Sequence, residues 1–375
     1  MKFFLLALAF LVLLVFGFFG WAWMVALRPQ PKENAEVRNL APAPELRPGQ
    51  PIKVLSWNIQ FLAGKGHVFF FDLPGDKGPD ERPTRTDIER TLARVTRLIR
   101  EEDPDIILLQ EVDDHATRTG QDDQLARILA LLSPKYSQIA VTDYWRMPFV
   151  PHPHIRGSVG TRLVVVSRYR ITQAERFALP HAHYPFLVDL FQIQRALLEV
   201  HFPIQGGEEL VVMNTHLEAF QQNGEVKKRE LQFLDKHLSY LDSLQTPWLL
   251  AGDFNLLPPG FYSRIPEPER VWFLPGIDME SLYTKYAVLP GLDDLNGSAA
   301  NQFLTHYPNR PDSKGLDKVI DYQIHSKNME VSSFNVRQDC LRISDHMPLI
   351  GVFLPPSQKF SEENCKVCSA DSVAF

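Results

Sequence analysis

Apolar and polar positions fall into three patterns along the chain. The first is unbroken: after Lys2, the run FFLLALAFLVLLVFGFFGWAWMVAL from Phe3 to Leu27 holds no charged residue. At ~1.5 Å per residue such a helix can cross a ~30 Å hydrocarbon layer. Trp21 and Trp23 near its end suit an interfacial aromatic belt. The second, RPQPKENAEVRNLAPAPELRPGQP, is rich in Pro and charge and lacks a period; it predicts an extended, semi-rigid spacer. The third begins at Ile52, where short apolar runs alternate with amphipathic stretches.

In that third region IKVLSWN, DIILLQE, TRLVVVSR, TPWLLAGDFN, KVIDYQIHS, SSFNVRQ and HMPLIGVFL predict strands. IQRALLEVHF and ELVVMNTHL predict neighbouring strands joined through Gly206-Gly207. Thr86-Asp-Ile-Glu89 has the form of a capping box, and Ile88, Leu92, Val95 and Ile99 behind it follow helical spacing. QLARILALL predicts another helix. EVKKRELQFLDKHLSYLDSL predicts a third, with Leu231, Leu234, Leu238 and Leu241 on one stripe. AGKGHVFFFDLPGDKG and most of residues 258–315 fit no period. Strands outnumber helices and many join as hairpins. The expectation is an α/β body, a four-layer sandwich of two mixed β-sheets flanked by helices and preceded by an N-terminal transmembrane helix. The expected divisions are an anchor at 1–27, a Pro-rich linker at 28–51, one catalytic domain at 52–355 and a polar tail at 356–375.

Composition changes this picture little. With 375 residues, 45% hydrophobic and 22% charged, the chain can build a large core. A net charge of −6 gives no global basic field for a nucleic-acid backbone. Cys340, Cys365 and Cys368 form no disulfide framework, and Cys365-Lys-Val-Cys368 lacks a second pair that would complete a zinc site. A cleaved signal peptide competes with the anchor, but its apolar region is usually shorter, and no small-x-small site precedes Arg28. Positive charges nearly balance across the span. The expectation is a single-pass protein with its catalytic domain on the exported side.

The polar residues that end the apolar runs carry the chemistry. Asn58 ends IKVLSWN, Glu111 ends DIILLQE, and Asn214 and His216 end ELVVMNTHL. Asp253 and Asn255 end WLLAGDFN, on one side of the strand if it persists that far. Asp321 lies in KVIDYQI, and Asp345-His346 precedes MPLIGVF. One such ending is a strand meeting its turn. Six of them, drawn from Asn, Asp, Glu and His, point to a shared rim. There is no nucleophile elbow, P-loop or G-x-G-x-x-G. Hard oxygen donors suit magnesium, and histidines beside them suit metal-assisted hydrolysis of a phosphoester.

The ordered blocks SWN, LQEV, NTHL, GDFN, IDY and SDHMP resemble the endonuclease/exonuclease/phosphatase superfamily over about residues 52–354. That resemblance implies the same four-layer fold and a Mg2+ cofactor, with Mn2+ as the alternative. It implies Glu111 as principal metal ligand, with Asn58 and Asp345 beside it. Asp253 would handle the attacking water and Asn255 would steady it or the phosphate. His346 would contact phosphoryl oxygens with Asp321 orienting its ring, and His216 would be a second histidine there. Arg195 would clamp phosphate, an ordinary surface Arg being the competing reading. The two-histidine pattern is similar to the deoxyribonuclease, sphingomyelinase and phosphatase branches rather than the abasic-site one.

Substrate choice rests on weaker features. The anchor keeps the site near a bilayer. Phe69, Phe70 and Phe71 form either an exposed apolar wedge or packing under a long loop. The aromatic stretch DYWRMPFVPHPHIRG is a candidate substrate loop, with His152 and His154 as loop residues. The leading expectation is a sphingomyelinase-like phosphodiesterase acting on a phospholipid. The alternatives are an exported nuclease of the same fold, an inositol-phosphate or phosphoinositide phosphatase, and an inactive binding module. No protein partner is predicted.

Overall fold

A computed structural model describes residues 1–220 and 224–357. It opens with helix α1 (Lys2–Val25), long and apolar enough to cross a membrane. The strands are β1 (Lys32–Asn34), β2 (Glu36–Asn39), β3 (Ile52–Asn58), β4 (Ile106–Asp113), β5 (Gln138–Val150), β6 (Gly157–Ser167) and β7 (Gln173–Ala178). They continue as β8 (Ala196–Ile204), β9 (Glu208–His216), β10 (Trp248–Asp253), β11 (Ala287–Leu289), β12 (Asp321–His325), β13 (Glu330–Val336) and β14 (Leu349–Leu354). They form two mixed seven-stranded sheets, in the orders β1-β7-β8-β9-β10-β12-β11 and β13-β14-β3-β4-β6-β5-β2.

Both faces of the central strands are covered, which is why they read as continuous apolar runs. Along β3 and β4, Val54, Ile106 and Leu108 face the other sheet and meet Leu198, Val200, Val212 and Leu249. The alternate residues Leu55, Trp57, Ile107 and Leu109 face outward onto helices α2 (Arg85–Glu102) and α3 (Gln124–Leu131). After the short α4 (Phe186–Asp189), helix α5 (Gly224–Ser243) covers the first sheet with Leu231, Leu234, Leu238 and Leu241. Each such buried Leu contributes about 1.5–3 kcal/mol over leaving it exposed. The four layers are those the strand pattern predicts.

Two local readings change. The capping box of α2 is Thr84 with Asp87, two residues earlier than Thr86–Glu89. Segment 28–51 is extended but not free: β1 pairs with β7, β2 pairs with β5, and Leu46 is fully buried beside Ile204. It closes one edge of each sheet rather than holding the body away from α1. The foot of α1 packs on the body as well, with Ala22 and Trp21 against Met147, Val150, Val159 and Leu190. Cys365, Cys368 and nearly all of the polar tail lie outside the described residues; Cys340 is buried.

Candidate active site

The site is the last layer of the space between the sheets. Residues facing that space are apolar along most of each strand and turn polar at one end. Val54, Ser56 and Asn58 share a face of β3 by the two-residue period, as do Leu249, Ala251 and Asp253 of β10. Register then sets neighbours side by side. Asp253 pairs with His216 of β9 across a parallel ladder, and with Asp321 of β12 across an antiparallel one. Close approach of β9 and β10 explains the glycine of GDFN. Gly252 has φ +149°, and a Cβ there would lie 2.0 Å from Thr215 O. Beneath this layer Gln110 Nε2 donates to Asn214 Oδ1 at 2.7 Å, and Asn214 Nδ2 donates to the carbonyls of Leu109 and Val164. Asn214 is thus a strut between sheets.

Glu111 reaches the site through a defect. Strict alternation would send it outward with Leu109. A register shift between Leu109 and Val112, with φ +56° at Glu111, turns it inward to 3.9 Å from His216 Nδ1. No hydrogen-bond donor among the described residues reaches its carboxylate. Burial first, then Asp345, pushes Glu111 up to about 7, against the pull of Arg118 and His346.

Asp253 is the hub. Its Oδ2 accepts from Asn58 Nδ2 at 3.0 Å and lies 3.3 Å from His216 Nε2 and 3.6 Å from His346 Nε2. Its Oδ1 accepts from the Asn255 backbone N–H at 3.0 Å. The strand does not persist to Asn255. That residue is left-handed, with φ +50°, and its side chain donates to Leu217 O at 3.2 Å, so the two-residue period does not aim it. Burial raises Asp253, with Asp321 adding and His346 opposing.

The two histidines are driven apart. His346 Nδ1 donates to both oxygens of Asp321 at 3.0 Å. Burial alone would push His346 down, but Asp321, Asp253 and Asp345 outweigh it and hold the imidazole well above its usual range. His216 is pushed well below that range by burial, then by Arg195 and His346. One ring is therefore charged and the other neutral near pH 7. Asp345 accepts from Ser344 Oγ at 3.2 Å and Asn309 Nδ2 at 3.1 Å, and lies 4.0 Å from His346 Nε2. Arg195 is buried over the Tyr144 ring, and its Nε has no partner among the described residues.

All nine residues given a role by the family resemblance lie at this end of the sheets, with Asn214 beneath them. Several others were not foreseen. His306, from the aperiodic segment 258–315, packs its ring 4.7 Å from that of His346, and their donors and Asp345 fall within 4.8 Å of one another. Tyr144 OH lies 3.4 Å from His216 Nδ1. Arg118 makes a two-pronged pair with Asp113 at the wall. No local period marks these residues; only the chain's return across the site does.

The cleft above has a volume of about 760 Å3. Its apolar walls include Phe61, Phe69, Phe70, Trp145 and Ile193. Phe69 is buried, edge-on to Phe61 at 5.1 Å, and Phe70 stacks on His154 at 4.7 Å. The three phenylalanines thus line the cleft as packed residues, and are no exposed wedge.

Two mixed sheets faced by helices, with this acid, amide and imidazole set at one rim, define a phosphoesterase class of fold. The profile of the Endonuclease/Exonuclease/phosphatase family matches residues 55–346, and the chain belongs to that family. No curated protein shows significant similarity to it. Among solved structures it is similar to an endonuclease/exonuclease/phosphatase from Beutenbergia cavernae DSM 12333, with 21% identity, a TM-score of 0.55, and 82% of this chain and 72% of that one covered. It is also similar to the human Nocturnin catalytic domain with bound sulfate, with 17% identity, a TM-score of 0.50, and coverage of 82% and 94%. Caenorhabditis elegans TDP2 gives 17% identity, a TM-score of 0.50, and coverage of 82% and 75%. These likenesses concern the fold.

Proposed function

We propose that this protein is a membrane-anchored, divalent-metal-dependent phosphodiesterase that hydrolyses a phospholipid with water. The donor set fits magnesium or manganese. Glu111 is a carboxylate without a protein donor, Asp345 lies near enough to raise it, and Asn58 Oδ1 keeps a second lone pair beside its bond from Gln60 N–H. Glu111, Asp345 and Asn58 would hold the ion. When bound, it supplies charge neutralisation on the phosphate and polarises its oxygens.

The chain's own groups do the rest. Asp253, fixed through both oxygens, takes a proton from the attacking water. Asn255 holds that region through its backbone N–H and faces the cleft. His346, kept protonated by Asp321, donates to a phosphoryl oxygen and can deliver its proton to the leaving group. Neutral His216 accepts or donates at the phosphate edge. Arg195 offers free N–H groups to phosphate.

One observation carries the lipid assignment: the cleft has aromatic and aliphatic walls, and nearly all its cations are already paired. Arg118 is tied to Asp113, Lys318 and Arg310 to Glu269, and Arg82 to Asp80. A nucleic-acid backbone needs unpaired Lys and Arg along its track. Reading α1 as a retained anchor rather than a cleaved signal is supported by the packing of Trp21 and Ala22 on the body. The exported side is the proposed location of the body. To test the function, full-length protein in vesicles would receive magnesium and, in parallel, sphingomyelin, phosphatidylinositol, inositol phosphates or plasmid DNA. Release of a phosphorylated head group is expected. Rapid plasmid nicking with lipid untouched would overturn the reading.

A further inference from the structure

Among the described residues of the body, the longest run of consecutive exposed large apolar side chains is not the phenylalanine run of residues 69–71. It lies in the stretch AHYPFLV, residues 182–188, which contains no Asp, Glu, Lys or Arg. Phe186 is 61% exposed, Leu187 43% and Val188 44%, in a single turn of helix where Asp189 is drawn aside towards His181 at 3.6 Å. Scattered apolar residues need no explanation, but a contiguous patch does.

Its position supplies one. Phe191, two residues past α4, stacks on Phe18 of α1 with ring centres 6.1 Å apart and planes 10° from parallel. Helix α1 has 24 residues, about 36 Å at ~1.5 Å each. A hydrocarbon layer of ~30 Å uses about twenty of them, so Phe18 falls just inside its boundary and Trp21 and Trp23 fall at it. Arg28 sits 4.1 Å over the Trp23 ring, the pairing of cation and indole expected at head-group depth. The α4 patch, fixed beside Phe18, is therefore held at the acyl boundary.

The patch is also continuous with the cleft. Leu187, Val188 and Phe191, with Phe19 of α1, line the same cavity that Asp253 and His346 floor. An apolar path thus runs from the bilayer-facing side of the molecule to the reacting groups.

We propose that α4 and the foot of α1 form a lip seated in the bilayer, so that the cleft opens into the membrane plane and its substrate enters laterally. The substrate class is then an amphiphile whose aliphatic chains stay in the bilayer or on the lip while its phosphoester reaches the acids. This rests on the phosphoesterase reading above and on α1 spanning the membrane.

Two measurements on the full-length chain in phosphatidylcholine vesicles test it. With Cys365→Ser and Cys368→Ser, a spin label is placed at Phe186→Cys, and in a second protein at Leu244→Cys. Leu244 follows α5 at the far end from the site and is 56% exposed. The label at 186 is expected to be shielded from a water-soluble relaxation agent and open to oxygen, with the label at 244 the reverse. A label at 186 as open to water as that at 244 overturns the lip. Separately, Phe186→Asp, whose side chain does not line the cleft, is expected to lower turnover of a vesicle-embedded phospholipid at least tenfold. Turnover of soluble bis(p-nitrophenyl) phosphate should stay within twofold. Equal loss on both substrates, or no loss on lipid, counts against lateral entry. Should the wild type cleave no lipid at all, the function falls, while the label depths still decide whether the lip is seated.

Discussion

The Asp321–His346 pair gives the most decisive single test of the site. Replacing Asp321 with Asn keeps shape and volume, and the amide oxygen can still accept from Nδ1, so ring position is retained while charge is lost. A hydrogen bond to a charged group contributes about 1.5–3 kcal/mol, and here both carboxylate oxygens lie 3.0 Å from the ring nitrogen in a buried setting. If that stabilisation supports the protonated imidazole in the transition state, about 1.36 kcal/mol per tenfold converts it to a roughly 10- to 150-fold loss in kcat. The pH dependence follows in sign. Asp321 leads the carboxylates that hold His346 above its usual 6.5, so the ring stays charged into the alkaline range. Without Asp321 the proton leaves at lower pH, and the alkaline limb of kcat moves down. Initial rates on a phosphodiester from pH 5 to 10, with a melting curve for each variant, measure both. A kcat within twofold of wild type at unchanged Tm, or an alkaline limb that does not move, would refute the assignment.

Other outcomes test the rest of the scheme. Chelation should abolish turnover and magnesium restore it. Saturating magnesium should also raise Tm, since a ligand at 100 times its Kd adds about 2.7 kcal/mol, and Glu111→Gln should remove that rise along with activity; a normal rise in the variant would show that Glu111 is no ligand. Gly252→Ala forces a methyl group to 2.0 Å from Thr215 O, so it should lower Tm by several degrees or prevent folding, whereas wild-type Tm would mean β9 can move away. Far from the site, Glu199 accepts from His237 at 2.5 Å and lies 3.3 Å from His201, which also meets Glu209 at 3.1 Å. Burial would lower His201, but Glu199 and Glu209 raise it to about 9 from 6.5. Its contribution to stability is complete below about pH 6.5 and is lost as pH rises through about 9. His201→Gln should flatten the fall of Tm across that window, and an unchanged slope would refute the charge.

Much of this architecture is legible in the sequence because it depends on local periods. Strands buried on both faces appear as apolar runs, and the stripes Ile88–Ile99 and Leu231–Leu241 mark helices whose buried faces the structure confirms. The site was legible where a run simply ends in a polar residue, as at His216 and Asp253, since parallel register then aligns those ends without further information, and antiparallel register brings Asp321, the first residue of β12, beside them. Glu111 was legible by identity but not by aim. Its inward turn needs a bulge and a left-handed φ that no alternation encodes. Asn255 misled for the converse reason, because the strand stops two residues short and the period with it. The linker misled because Pro and charge set its extension but cannot say whether a sheet edge lies beside it.

The phenylalanine run and the α4 patch show where a sequence must fall silent. Phe69 to Phe71 and Phe186 to Val188 are both wholly apolar, and each lies within three residues of proline or glycine in an aperiodic stretch. What separates them is whether a partner arrives from elsewhere. Phe61 closes on Phe69 from eight residues away and His154 on Phe70 from over eighty, so that run is consumed inside the cleft. Near α4, Phe18 stacks on Phe191, and Trp21 and Ala22 pack with Leu190, yet the faces of Phe186 and Leu187 stay open. A soluble protein would carry that patch as an aggregation liability. On the reading proposed above, in which α1 spans a bilayer and ends at the same depth, the patch would have a solvent of matching polarity, and the membrane would complete a surface the fold leaves uncovered.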